Sequence, residues 1–111
     1  MLRSHTCGEL TKIHLNEKVT LCGWVQRIRN KGFIVWIDLR DRYGLVQLVL
    51  DEERTPKEVY KQSLALGREF VIQIKGKVLE RESKNPNLST GDVEILVAKI
   101  NIFSGRLGER I

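Results

Sequence analysis

A tryptophan beside a side-chain amide is chemically suited to holding a nucleobase. The indole stacks on the face of the base, and the amide reads its Watson–Crick edge. Such stacking is worth about 1–3 kcal/mol per base. Trp36 and Gln47 become such a pair if the fold sets them side by side, with Arg81 and Glu94 on the same surface. Taken singly they are ordinary: a partly buried aromatic, a surface amide and solvated charges. Chemistry of other kinds is poorly served. No segment reads as a phosphate-cradling loop, an ATP-binding arginine motif or a magnesium carboxylate cluster. The spacing of His5, Cys7, His14 and Cys22 matches no paired metal-ligand pattern, so no metal is expected.

Five strand-like segments must position these residues. Val19–Val25 alternates and runs on into the basic stretch Arg27–Lys31. Phe33–Leu39, Leu45–Leu50, Phe70–Val78 and Val93–Phe103 follow, all rich in β-branched residues. Glycine-bearing links at Asn30-Lys31-Gly32 and Arg42-Tyr43-Gly44 predict hairpins, and so a meander of the first three strands. Thr55-Pro56-Lys57-Glu58 reads as a capping box opening a helix over 56–66, with Gly67 as its stop. Asn85-Pro86-Asn87 and Ser89-Thr90-Gly91 mark a longer polar loop before the last strand. Three strands, a helix and two strands is the order of the OB-fold: all-β with one helix, a five-stranded Greek-key barrel with the helix between strands three and four. The barrel is expected over 1–103, with 104–111 an irregular tail that reads as a truncated or altered end.

Parity then assigns faces. Phe33, Val35, Ile37 and Leu39 point inward with Val46, Leu48 and Leu50. Ile34, Trp36, Asp38, Leu45, Gln47 and Val49 point outward, joined by Arg81 and Glu94. Exposed in this way, Trp36 and Gln47 should be replaceable by alanine with little change in melting temperature. Extending the inward parity of Val19–Val25 would bury Arg27 and Arg29. Either a bulge shifts the register or the strand has passed the barrel mouth, and the second is preferred.

The chain has 111 residues, 41% hydrophobic and 30% charged, enough for one core and one domain. A net charge of +5 and a pI near 9.5 suit a polyanionic partner without demanding one. No apolar run approaches a membrane span, and Met1–Thr6 has no signal-like apolar region, so a cytoplasmic location with two reduced cysteines is expected.

Beyond this pattern the sequence resembles a known family. His5-Thr6-Cys7-Gly8-Glu9-Leu10, Val19–Arg27, Ile37-Asp38-Leu39-Arg40-Asp41-Arg42-Tyr43-Gly44, Arg68–Gln73 and Pro86–Glu94 look like the N-terminal domain of bacterial aspartyl-tRNA synthetases. The resemblance covers about residues 2–103. It implies a tRNA partner and recognition of the G-U-C anticodon of aspartate tRNA. By motif position Trp36 resembles the aromatic that stacks on the central uridine, a place often held by phenylalanine, and Gln47 its hydrogen-bonding partner. Glu94 resembles the carboxylate that reads the first base, and Arg29, with Arg27 nearby, the basic residue beside the loop. Arg81, Asn85 and Asn87 fall where the family contacts the third base and the backbone. ATP and magnesium would bind the family's class II catalytic domain, for which this chain has no room. No cofactor and no aminoacylation by these residues are therefore expected. Family dimerisation rests chiefly on that domain, so a monomer is expected. A sequence-tolerant single-strand binder and a re-purposed scaffold are the other readings of the same face.

Overall fold

Residues 2–104 are described by the structure, a computed structural model. Five strands, β1 (Lys18–Asn30), β2 (Ile34–Asp41), β3 (Gly44–Asp51), β4 (Val71–Glu80) and β5 (Val93–Ser104), close into a barrel in the order β1-β2-β3-β5-β4. One helix, α1 (Lys57–Leu64), lies between β3 and β4. The neighbours are antiparallel except β3 and β5, which run parallel. This is the OB-fold order expected above. The tail expected over 104–111 lies outside the described residues, apart from Ser104 at the end of β5.

Alternation builds the core. Val19, Leu21 and Val25 of β1 meet Val35, Ile37 and Leu39 of β2, Val46, Leu48 and Leu50 of β3, and Ile72, Ile74 and Val78 of β4. Val93, Ile95, Val97 and Ile100 of β5 complete the barrel lining, and Val59 of α1 and Leu66 beyond it pack against the same core. Ile100 keeps its inward place because the register slips between Lys75 and Gly76 of β4, opposite Lys99 and Val97. Ala98 is the extra residue of that bulge.

The same device resolves the register of β1. Val25 pairs with Leu39 but Arg27 with Asp38, so Gln26 is an extra residue and a bulge restores the alternation. Ile28 then turns inward opposite Ile37 and packs on the core, while Arg27 and Arg29 turn outward. The preferred alternative, a strand that has left the barrel, is corrected: β1 stays paired with β2 as far as Asn30.

Three further expectations change. Phe33 precedes β2 in the β1–β2 turn and is 75% exposed, because the turn ends the alternation one residue later than the apolar run suggests. Gln47 and Val49 have outward parity yet are buried, since β3 lies between β2 and β5 and is covered from both sides. Finally, α1 begins at Lys57 with Pro56 at its cap and no side-chain capping bond. Thr55 Oγ1 accepts instead from the Asp51 N–H at 3.0 Å, closing the turn that leaves β3.

Ahead of β1 the chain crosses the β2–β3 turn. Buried Asp41 accepts from the N–H groups of Cys7 (2.8 Å), Tyr43 (2.8 Å) and Gly44 (3.1 Å), which ties the crossing segment to the turn. Gly44 sits at φ +155, and a Cβ there would lie 2.7 Å from the Gly8 Cα, so the crossing needs glycine. Both cysteines are free. Cys7 is fully buried and Cys22 half-buried, its thiol donating to the Leu2 carbonyl at 3.0 Å. Burial and the adjacent Asp41 push the Cys7 thiol far above its ordinary value, which keeps it unreactive.

Candidate nucleic-acid interface

The outward side chains of β1, β2, β3 and β5 converge on one cleft. In the parallel pair Gln47 stands opposite Glu94, and its Nε2 donates to Glu94 Oε1 at 2.9 Å. The amide oxygen of Gln47 accepts from Arg29 Nη2 at 3.2 Å. Arg29 faces Trp36 across β1 and β2, and its guanidinium carbon lies 5.2 Å from the indole centroid, within cation–π range. One chain of contacts therefore links Trp36, Arg29, Gln47 and Glu94. It also fixes which way the amide faces, carbonyl toward the cation and NH₂ toward the carboxylate.

The bulge at Gln26 makes this geometry possible. Without that extra residue Arg29 would point into the barrel rather than toward Gln47.

The cleft holds about 310 Å³ and is lined by Arg29, Ile34, Trp36, Gln47, Arg54, Arg81, Glu82, Ser83 and Glu94. Arg81 enters from the start of the β4–β5 loop, its backbone N–H bound to the Asp92 carbonyl at 2.9 Å. Its Nε is buried and, among the described residues, has no hydrogen-bond partner. An unmet guanidinium N–H is costly in a free protein and is satisfied when a ligand brings an acceptor. Arg54 enters from the loop after β3. Its Nε donates to Asp51 Oδ2 at 2.7 Å, and its backbone N–H to Asp51 Oδ1 at 2.6 Å. Burial raises the Asp51 pKa, but the Arg54 hydrogen bonds and charge outweigh it and hold the carboxyl below its ordinary value.

Five of the eight residues singled out in the sequence meet here: Arg29, Trp36, Gln47, Arg81 and Glu94. The other three do not line the cleft. Arg27 is exposed opposite Asp38, in a neighbouring groove with Gln26, Ile28 and Arg68. Asn85 and Asn87 lie in the β4–β5 loop, where Asn85 Oδ1 accepts from the Asn87 N–H at 3.0 Å and the Asn85 N–H bonds the Gly91 carbonyl. Arg54, Glu82 and Ser83 were not anticipated. Arg54 had a local signal, an arginine three residues after the last residue of a strand, an aspartate. The loop pair had none.

A family model described as an OB-fold nucleic acid binding domain, and named for the tRNA anti-codon, matches residues 19–103. The chain is 58% identical over 107 residues to the aspartate–tRNA ligase of Flavobacterium psychrophilum and 58% identical over 104 residues to that of Amoebophilus asiaticus. These matches cover 96% and 94% of the chain, which spans 18% of the length of either ligase. Among solved structures, the aspartyl tRNA synthetase of Entamoeba histolytica superposes with a TM-score of 0.82 at 28% identity, over 93% of this chain and 21% of that one. An OBody bound to hen egg-white lysozyme does so at 0.82 with 27% identity, over 92% and 95%. The asparaginyl-tRNA synthetase of Pyrococcus horikoshii scores 0.80 with 27% identity, over 95% and 24%. The family model matches well over half of the chain, and the chain belongs to the tRNA anti-codon family of OB-fold nucleic acid binding domains.

Proposed function

We propose that the cleft reads the G-U-C anticodon of aspartate tRNA, and that these residues supply recognition without aminoacylation. The observation that carries the reading is Gln47, held between Arg29 and Glu94 beside the Trp36 ring. Its amide retains one N–H and one carbonyl lone pair, the complement of a uridine carbonyl and N3–H. Trp36 stacks on that central uridine. Glu94 keeps a carboxylate oxygen free of Gln47 and accepts from N1–H and N2–H of the first-base guanine. Arg81 brings its unmet N–H to the third base or its phosphate, while Arg27, Asn85 and Asn87 serve the loop backbone from outside the cleft. The names of the curated relatives support the choice of aspartate tRNA. Ligation, with its ATP and magnesium, belongs to the length of those relatives that this chain does not span. We assign the 111 residues a monomeric state and a cytoplasmic setting. Among the described residues no helix is long and apolar enough to cross a membrane.

Titration with an aspartate anticodon stem-loop, and with a stem-loop whose central base is changed, tests the reading. Tighter binding of the first is expected, and equal binding of both removes it in favour of a sequence-tolerant binder. The absence of any salt-dependent RNA binding would favour a protein-binding face, as in the lysozyme-bound OBody.

A further inference from the structure

The outer face of β4 and its neighbours carries free lysines where the cleft carries a bonded network. Lys18 of β1 stands directly opposite Lys77 of β4, and Lys75 of β4 directly opposite Lys99 of β5. All four are exposed, and among the described residues none forms an ion pair. Like charges directly opposite each other in a sheet are destabilising. Two such pairs side by side therefore weigh on the free barrel and are relieved when a polyanion lies over them. Lys18, Lys75 and Lys77 flank a groove of about 320 Å³ with an apolar floor that includes Leu96 and Val97.

This groove continues the cleft. Leu96 follows Glu94 by two residues on the same outward parity of β5 and pairs with Lys77. Arg54 lines both depressions, and Asp51 holds its Nε while its terminal nitrogens have no hydrogen-bond partner among the described residues. A strand whose bases occupy the cleft passes Arg54 into the groove flanked by Lys18, Lys75 and Lys77.

We propose that Arg54 with the Lys18–Lys77 and Lys75–Lys99 pairs forms a track for the sugar-phosphate backbone of the RNA that enters the cleft. The track rests on the reading above for RNA as the partner, not for its sequence. It adds affinity and sets the register without reading bases. Each phosphate it neutralises releases counterions, so its signature is salt dependence.

The test compares the wild-type chain with a Lys18→Gln, Lys75→Gln, Lys77→Gln, Lys99→Gln variant. Both are titrated across a KCl series with the aspartate anticodon stem-loop and with the anticodon-changed stem-loop. Each lost phosphate contact lowers the slope of log affinity against log salt by about one, so the variant should lose up to about four. The loss should be equal for the two RNAs, with a melting temperature at or above that of the wild type. An unchanged slope overturns the track and leaves the lysines to an acidic protein surface. Should the quadruple variant not fold, Lys75→Gln with Lys99→Gln repeats the measurement with half the expected change. Loss of base discrimination by the wild type with a reduced slope in the variant sinks the anticodon reading and keeps the track. Discrimination with an unchanged slope does the reverse.

Discussion

The two outward faces of this barrel are made from the same architecture and arranged in opposite ways. On β1, β2, β3 and β5 the polar groups around the cleft are bonded to one another, with Gln47 buried between Arg29 and Glu94. On β4 and its flanks the lysines stand opposite each other, without ion-pair partners among the described residues. A bonded network presents donors and acceptors in fixed directions, as base recognition requires. Free ammonium groups on flexible stems adapt to any phosphate path and discriminate little. The contrast predicts that changes on the first face cost stability and selectivity, and that changes on the second cost salt-dependent affinity alone.

Gln47→Ala should break the comparison most sharply if it is wrong. Strand parity alone makes the residue exposed and thermally neutral. Burial and two side-chain partners reverse that expectation, because the substitution leaves Arg29 and Glu94 unmatched. A loss of about 1–3 kcal/mol is expected, together with weaker stem-loop binding. Chemical denaturation should show a lower midpoint with an unchanged slope. An unaltered midpoint would mean that the network is a surface ornament no more ordered than the lysines.

Trp36→Ala removes the stacking platform and the ring beneath Arg29. Binding should weaken by about 1–3 kcal/mol, or roughly five- to 150-fold. Trp36 is only half-buried, so the melting temperature should move less than for Gln47→Ala. Glu94→Gln should act more narrowly. Affinity for the matched stem-loop falls, while preference for guanine at the first position shrinks toward that for adenine. Isothermal titration with both RNAs measures this, and retained preference would take the first base away from Glu94.

Much of this arrangement is legible in the amino-acid sequence. Alternating apolar residues in β2 to β5 assigned the core, and the same parity put Trp36, Gln47 and Glu94 on one face. Two kinds of information were missing. The bulge at Gln26 leaves no composition signal, since a polar extra residue in a polar run looks like continued strand. Parity also reports direction without coverage. Gln47 points outward and is nevertheless buried, with its amide hydrogen-bonded between the side chains of Arg29 on β1 and Glu94 on β5. Thr55 shows a third limit: one hydroxyl can close the turn after β3 or cap α1, and local sequence describes both equally well. The lysine pairs were hidden for a different reason. Lys18 and Lys77 are far apart in the chain, and only the barrel register makes them neighbours.

The smallest effect concerns the residue shared by the two faces. Arg54 is held at the junction of cleft and groove by Asp51, whose carboxyl lies below its ordinary pKa despite the opposing effect of burial. A carboxyl depressed in the folded state contributes stability above its unfolded pKa and loses it as the pH falls through the folded value. The contribution should therefore be complete at neutral pH and decline below the ordinary carboxylate range. Asp51→Asn should lower the melting temperature slightly at pH 7 and converge with the wild type in strong acid. Arg54 is about half exposed, so the change is expected to be a fraction of that for Gln47→Ala. The variant should also bind the stem-loop more weakly at neutral pH, because an untethered Arg54 must be ordered as the backbone passes from one face to the other. Equal binding by Asp51→Asn and the wild type would mean that Arg54 joins the two faces in space without joining them in function.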